Sequence, residues 1–352
     1  MIPEGARTLN VLPRERVQRA GVVRRTVDTS LHEGRKPDWL KVTASFGDNF
    51  KDVTSLMEGL ELSTVCAQAR CPNIYECWEQ REATFLIGGE DCTRRCGFCQ
   101  IATGRPKAYD RDEPRRVAEA VEAMGLHFAV VTGVARDDLA DKAAWLYAET
   151  CRQIHARLPH CGVELLIDDF GADPRLLRLV LDAEPEVLAH NLETVRRLFR
   201  HVRPAFDYDG SLELLERARR WGRAAVKSNL MLGLGETEDE VCESMRDLAE
   251  VGCQILTVGQ YLQPTHKHLA LQRYVEPDEF TRYARYGRQL GFDHVEAGPL
   301  VRSSFRAGRQ AINAGVWERP KAVGGRGPDQ ERPKAVGGRG PDQERPKAVG
   351  VR

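Results

Sequence analysis

Short apolar runs alternate with amphipathic stretches along most of this chain. Thr84–Gly88, Phe128–Thr132, Val163–Ile167, Glu186–His190, Ala225–Leu232 and Ile255–Val258 are brief runs dominated by apolar residues, the pattern of strands covered on both faces. Between them apolar positions recur every three or four residues, at Pro114–Met124, Leu139–Leu158, Ser211–Trp221, Glu238–Val251 and Pro277–Leu290, which predicts helices. A further helix is expected at Asn49–Leu62. Strand and helix in alternation predict a parallel sheet, closed into a full or partial barrel or left open and doubly wound. Periodicity alone does not choose between these. No apolar run approaches the roughly 18 residues that span a bilayer, so no membrane association is expected.

Polar groups gather where the predicted strands end, which is where barrels of parallel strands place their chemistry. Arg136-Asp137-Asp138 follows the second run, His190-Asn191-Leu192-Glu193-Thr194 the fourth and Gly233-Leu234-Gly235-Glu236 the fifth. Each has a plainer reading. Asp137 and Asp138 would cap a helix starting near Leu139, Asn191 or Thr194 would cap the next, and the glycine-rich run would be a strand-to-helix turn.

Charge is balanced, 52 Lys and Arg against 52 Asp and Glu, so no nucleic acid or charged membrane surface is expected as a partner. Residues 1–36 are rich in arginine and lack apolar period, which predicts an extended arm; Glu4, Glu15 and Asp28 argue against a transit peptide. At the other end ERPKAVGGRGPDQ occurs at Glu318–Gln330 and Glu331–Gln343 and begins again at Glu344. Its only core material is valine, so residues 309–352 are expected to form a disordered tail.

Six of the ten cysteines fall between Cys66 and Cys99. Cys92, Cys96 and Cys99 are spaced Cys-x3-Cys-x2-Cys: four thiolates would close the shell of a cubane iron-sulfur cluster, and three leave one iron open to a reactant. A zinc knuckle or redox thiols are the alternatives, but a zinc site needs a fourth close ligand and the nearest downstream histidine is His127. Cys66, Cys71 and Cys77 form a second triad. Their offsets do not match a helical period of about 3.6, which predicts a loop turned by Pro72 and Asn73. Disulfides fit a short secreted domain better than this 352-residue chain, whose start has no apolar signal segment. Two clusters in a reduced, cytoplasmic enzyme are expected. Cys151, Cys161, Cys242 and Cys253 have no partner at ligand spacing and read as small buried hydrophobes.

The stretch TVCAQARCPNIYECWEQREATFLIGGEDCTRRCGFCQI, Thr64 to Ile101, resembles the lipoyl synthases, a family of radical S-adenosylmethionine (SAM) enzymes. The similarity runs through most of residues 37–308. Its most specific part is the pair of triads; the second triad alone marks only the superfamily. The resemblance implies an α/β fold, a partial (β/α)6, TIM-like barrel at 84–308 with an auxiliary cluster-binding extension at 37–83. It implies that Cys92, Cys96 and Cys99 hold a 4Fe-4S cluster that binds SAM. It also implies that Cys66, Cys71 and Cys77 hold a second one with Ser304, the serine before the aromatic in Arg302-Ser303-Ser304-Phe305. Phe98, Asn191, Glu193 and the pair Lys227-Ser228 are implied in lining the SAM and substrate cavity.

The implied reaction inserts two sulfur atoms at carbons 6 and 8 of an octanoyl chain on a lysine of a lipoyl carrier domain, with the auxiliary cluster as sulfur donor. Implied partners are 2-oxoacid dehydrogenase E2, the glycine cleavage H protein, a flavodoxin or ferredoxin and an iron-sulfur assembly protein; a monomer is expected. A biotin synthase-type enzyme would share the Cys92 triad but leave the Cys66 triad unexplained. A non-catalytic iron-sulfur electron carrier would need fully ligated clusters. The chain departs from the family at Asp141-Lys142-Ala143-Ala144, where Asp-Gly-Gly-Ala is common, and at Asp168-Asp169-Phe170-Gly171-Ala172, where Pro-Asp-Phe-x-Gly is usual. Gly210 and Phe305 replace an arginine and a tyrosine. Lost glycines predict strained backbone if the turns are kept.

Overall fold

The computed structural model describes residues 36–319 apart from 43, 45, 107 and 108; most of the expected arm and the repeats from 320 onward lie outside the described residues. Eight strands form one sheet: β1 (Ser63–Thr64), β2 (Thr84–Ile87), β3 (Phe128–Gly133), β4 (Gly162–Leu166), β5 (Val187–Ala189), β6 (Ala225–Leu232), β7 (Ile255–Gln260) and β8 (His294–Gly298). They lie side by side in sequence order. β1 pairs antiparallel with β2, and every other neighbouring pair is parallel. Among the described residues no pairing joins β8 back to β1 or β2, so the barrel is partial.

The main helices are α1 (Asp48–Gly59), α2 (Glu113–Met124), α3 (Ala144–Arg157), α4 (Pro174–Leu181), α5 (Tyr208–Trp221), α6 (Glu238–Glu250), α7 (Pro277–Leu290) and α8 (Ala307–Asn313). Six strand–helix units therefore run from β2 to α7, and β8 adds a seventh parallel strand. That strand escaped the sequence reading because His294-Val295-Glu296-Ala297-Gly298 offers only two apolar side chains, its pairing with β7 being supplied by backbone. Helix α4 was also missed, although Asp173 caps it by accepting from the Arg175 amide and Pro174 opens it.

Two expected boundaries are corrected. Helix α3 begins at Ala144 and not near Leu139, because Lys142 and Ala143 occupy left-handed backbone with φ of 48° and 64°, which a right-handed helix cannot include. Asp137 and Asp138 are consequently not caps. The ordered body also extends past residue 308. Helix α8 follows, its Ala311 fully buried against Val187, Ala225 and Ile255, the first residues of β5, β6 and β7. The Trp317 ring meets Phe128, the first residue of β3, at 5.2 Å. Residues 307–317 thus plug the N-terminal end of the barrel and leave its C-terminal end to the candidate site.

Candidate metal centres

The Cys92–Cys99 loop leaves β2 at the C-terminal end of the barrel and is gripped from several directions. The Thr93 amide donates to the Ala135 carbonyl over 3.0 Å, and the Gly97 amide to Val202 over 2.8 Å. On the other side the Leu269 amide donates to the Gly97 carbonyl over 3.0 Å, and His268 Nε2 to the Cys99 carbonyl over 3.1 Å. A β-carbon on Gly97 would stand 2.7 Å from the Leu269 side chain, so glycine is what lets this loop pass.

Arg94, between the first two cysteines, is the main anchor. Its Nε and Nη2 donate to the two oxygens of Asp137, each over 2.8 Å, and its Nη1 donates to Asp169 Oδ1 over 2.6 Å. The guanidinium lies 4.5 Å from the Phe206 ring centre, with Arg203 at 3.7 Å. Arg94 holds the Asp137 carboxyl well below the usual carboxylate range. Burial instead pushes neighbouring Asp168 up to about 7, against the pull of Arg94. The sequence marked Asp137 only as a strand-end group or a helix cap, and nothing in it related Asp137 or Asp169 to Arg94, because the three come from the ends of different strands. Asp138 pairs through both oxygens with Arg136, each bond 2.9 Å.

All six triad thiols are free. Burial pushes Cys96 up to about 11, opposed by Arg203, and Cys99 up to about 12. Each sulfur nevertheless faces donors that favour a thiolate: the Arg94 amide reaches Cys92 Sγ over 3.4 Å, the Arg203 guanidinium faces Cys96, and the Ile101 amide faces Cys99. Arg203 Nε is buried with no other partner. Such N–H groups suit iron-bound thiolates, whose sulfur accepts hydrogen bonds and whose charge needs offsetting.

The second triad does not sit on a loop. Cys66 lies on the short helix Val65–Gln68 and Cys77 on Ile74–Glu79, with Cys71 in the turn between them. The irregular spacing excluded one continuous helix, and two single turns of helix were below what periodicity can register. Burial pushes the Cys66 thiol up to about 11, and neighbouring Cys71 adds to this. Trp78 Nε1 is buried without a conventional partner and faces Cys66, and Arg302 faces Cys71. This donor set also fits a cluster. No three Cys, His, Asp or Glu side chains converge on a single ion among the described residues.

The segment after β8 ties the two edges of the open sheet. Asn73 Nδ2 donates to the Leu300 carbonyl over 2.7 Å, Thr84 Oγ1 to Ser304 Oγ over 2.8 Å, and Arg306 pairs with Glu76. The adjacent serines part company: Ser303 Oγ donates to Asn191 Oδ1 over 2.9 Å, toward the barrel. From there a buried polar chain continues. Asn191 Nδ2 donates to Glu193 Oε1 over 2.9 Å, Asn229 Nδ2 to Glu193 Oε2 over 2.8 Å, and Thr257 Oγ1 to Asn229 Oδ1 over 2.8 Å. Asn191 is therefore no helix cap. Burial raises the Glu193 carboxyl, with Arg203 opposing.

The remaining expected site residues stand apart from this chain. Lys227 Nζ donates to both oxygens of Glu164 over 2.9 and 2.8 Å, a pair with side chains 0% and 1% exposed, so its charge is committed inside the barrel. Ser228 Oγ closes the strand end by donating to the His190 carbonyl over 2.9 Å. Phe98 packs against the core. The Gly233–Glu236 run is a strand-to-helix turn, whose Gly233 and Leu234 amides both donate to the Glu236 carboxylate.

Residues 86–248 match the profile of the radical SAM superfamily, and residues 13–71 that of the N-terminal domain of lipoyl synthase of the radical SAM family. The lipoyl synthase of Frankia casuarinae is 60% identical over 283 residues, covering 80% of this chain and 85% of that protein. That of a Nocardioides species is 58% identical over 283 residues, covering 80% and 89%. The Corynebacterium kroppenstedtii lipoyl synthase is 56% identical over 288 residues, covering 81% and 83%. Matches of this extent set aside the biotin synthase-type and electron-carrier readings, and the chain belongs to the lipoyl synthase family of the radical SAM superfamily.

Proposed function

We infer that this enzyme inserts two sulfur atoms at carbons 6 and 8 of an octanoyl chain carried on a lysine of a lipoyl carrier domain. Cys92, Cys96 and Cys99 are the ligands of the cluster that engages SAM, and Cys66, Cys71, Cys77 and Ser304 those of the auxiliary cluster. When bound, SAM and the two 4Fe-4S clusters supply the hydrogen-abstracting radical and the sulfur. The chain's own task is placement. Arg94 seats the first triad on the strand ends. Arg203 offsets thiolate charge at Cys96, and Trp78 and Arg302 do so at Cys66 and Cys71. The Ser303–Asn191–Glu193–Asn229 chain joins the Ser304 segment to the barrel interior, where SAM and the octanoyl chain would lie between the two triads.

The observation that most supports this reading is the pair of free cysteine triads, with N–H groups facing Cys92, Cys96 and Cys99 in the first and Cys66 and Cys71 in the second, and with residues 299–306 reaching from the second to the barrel interior. Octanoylated 2-oxoacid dehydrogenase E2 domains and the glycine cleavage H protein are the proposed substrates, with a flavodoxin or ferredoxin as electron donor. Among the described residues no helix is long and apolar enough to cross a membrane. The reading is tested by anaerobic reconstitution, iron and sulfide analysis, and addition of SAM with an octanoyl-lysyl peptide. Formation of 5′-deoxyadenosine and of the doubly thiolated peptide is expected, and Cys96→Ala should lose both while keeping its auxiliary cluster. A Cys96→Ala protein that still cleaves SAM overturns the assignment.

A further inference from the structure

Strand β2 begins at Thr84, and this residue faces both halves of the auxiliary ligand set. Its hydroxyl donates to Ser304 Oγ over 2.8 Å, and its amide lies toward the Cys66 thiol. The antiparallel pairing of β1 with β2 enforces the second relation, since Thr64 is matched to Phe85 and Cys66 follows two residues later. The first is enforced by two flanking ties, from Asn73 to the Leu300 carbonyl and from Arg306 to Glu76. Thr84 is only 6% exposed. Among the described residues neither hydroxyl has another hydrogen-bond partner. Packing and strand propensity alone would be met by valine, which has the same shape without the donor. The hydroxyl is thus the part of Thr84 that the fold does not require.

We propose that Thr84 is a positioning residue for the auxiliary cluster, its hydroxyl holding Ser304 Oγ in place as the fourth ligand. This rests on the ligand set given above. A serine oxygen is a poor match for this iron beside thiolates, so its retention depends on help from the protein. A hydroxyl that donates to that oxygen fixes its rotamer and strengthens as the oxygen takes on negative charge. The neighbouring Ser303 cannot substitute, because its hydroxyl is turned to Asn191.

The test uses the full chain with Cys92, Cys96 and Cys99 replaced by Ala, so that a single cluster is read. Iron release to a chelator and the Mössbauer spectrum are compared for Thr84→Val, Thr84→Ser, Ser304→Ala and the double variant Thr84→Val/Ser304→Ala. Thr84→Val should release iron about tenfold faster than the parent, as expected for losing a hydrogen bond to a charged ligand, and its spectrum should match that of Ser304→Ala. Thr84→Ser should restore the parent behaviour, and the double variant should be no faster than Ser304→Ala alone. Parent-like release from Thr84→Val beside fast release from Ser304→Ala overturns the role of Thr84 and leaves the ligand set standing. An unchanged spectrum in Ser304→Ala overturns the ligand set and the proposal together. Additive effects in the double variant, or no rescue by Thr84→Ser, mean that Thr84 acts by another route and overturn the proposal.

Discussion

The Lys142 side chain fills the space that Gly171 leaves: a β-carbon at residue 171 would stand 2.8 Å from Lys142 Cε. Both residues hold left-handed backbone, with φ of 48° and 62°. The strain of a non-glycine residue at 142 is accepted. Lys142 Nζ comes within 3.4 Å of Asp137 Oδ1, the carboxylate that Arg94 grips. The two turns are therefore coupled, through a lysine in one and a missing side chain in the other.

Gly171→Val should accordingly lower stability by about 2–3 kcal/mol, from left-handed strain and the clash with Lys142. In a Lys142→Gly background the same change should cost less, with a coupling of about 1 kcal/mol. Denaturant midpoints for the four proteins of this cycle check the coupling; strict additivity would show that the two turns are independent.

Arg94→Lys keeps the charge but loses the two-pronged grip on Asp137 and the reach to Asp169. The side chain is only 7% exposed, so leaving its carboxylates unpaired is costly. After anaerobic reconstitution we expect iron to fall from about eight to about four per chain, the content of one remaining cluster. SAM cleavage should be lost as well. Iron analysis beside the far-ultraviolet dichroism separates loss of the loop from loss of the fold.

Lys227 and Glu164 form a buried ion pair, and such pairs fail badly when one partner is removed. Lys227→Met alone should destabilise the protein by about 3–5 kcal/mol, whereas Lys227→Met/Glu164→Leu should recover most of that loss. The double variant also tests whether Lys227 touches SAM. If SAM cleavage persists in it, Lys227 serves the core; if cleavage is lost from a protein of normal melting temperature, the cavity role stands.

His190 is buried, with Nδ1 donating to the Ile167 carbonyl over 3.1 Å, and burial with the nearby Arg203 charge lowers its pKa to about 3. The unfolded chain, with an ordinary value near 6.5, binds this proton first as pH falls. The contribution of neutral His190 is therefore fully present above about pH 6.5 and is lost on acidification toward pH 3, by at most about 1.4 kcal/mol per pH unit. Asp168, raised to about 7, works the other way, favouring the fold at low pH and losing that advantage as pH rises toward 7. The difference between the parent and His190→Gln isolates the histidine: the parent should lose stability relative to the variant below pH 6.5. A pH-independent difference would place a solvated imidazole in the native state, and a parent that gains on the variant below pH 6.5 would place a charged one there.

Alternating apolar runs were enough to locate six parallel strands and most helices, because burial on both faces of a sheet leaves its mark on each strand separately. The two triads were equally legible, since cysteines within a dozen residues of each other advertise their chemistry by spacing. Ser304 had no such mark and rested on resemblance alone. What only the tertiary structure decided are the meetings across the barrel: Arg94 with Asp137 and Asp169, Lys227 with Glu164, Trp317 with Phe128, and Thr84 with Ser304, which lie 220 positions apart. A hydropathy period reports the face a residue turns to its own element's neighbours, and it is silent on which polar group arrives there from another. Thr84 and Ser304 meet through the register of β1 on β2 and the path of residues 299–306 from β8 across the open edge of the sheet, and the other pairs through the side-by-side order of the parallel strands and the turn of the chain after α8, which bring together groups that no local pattern relates.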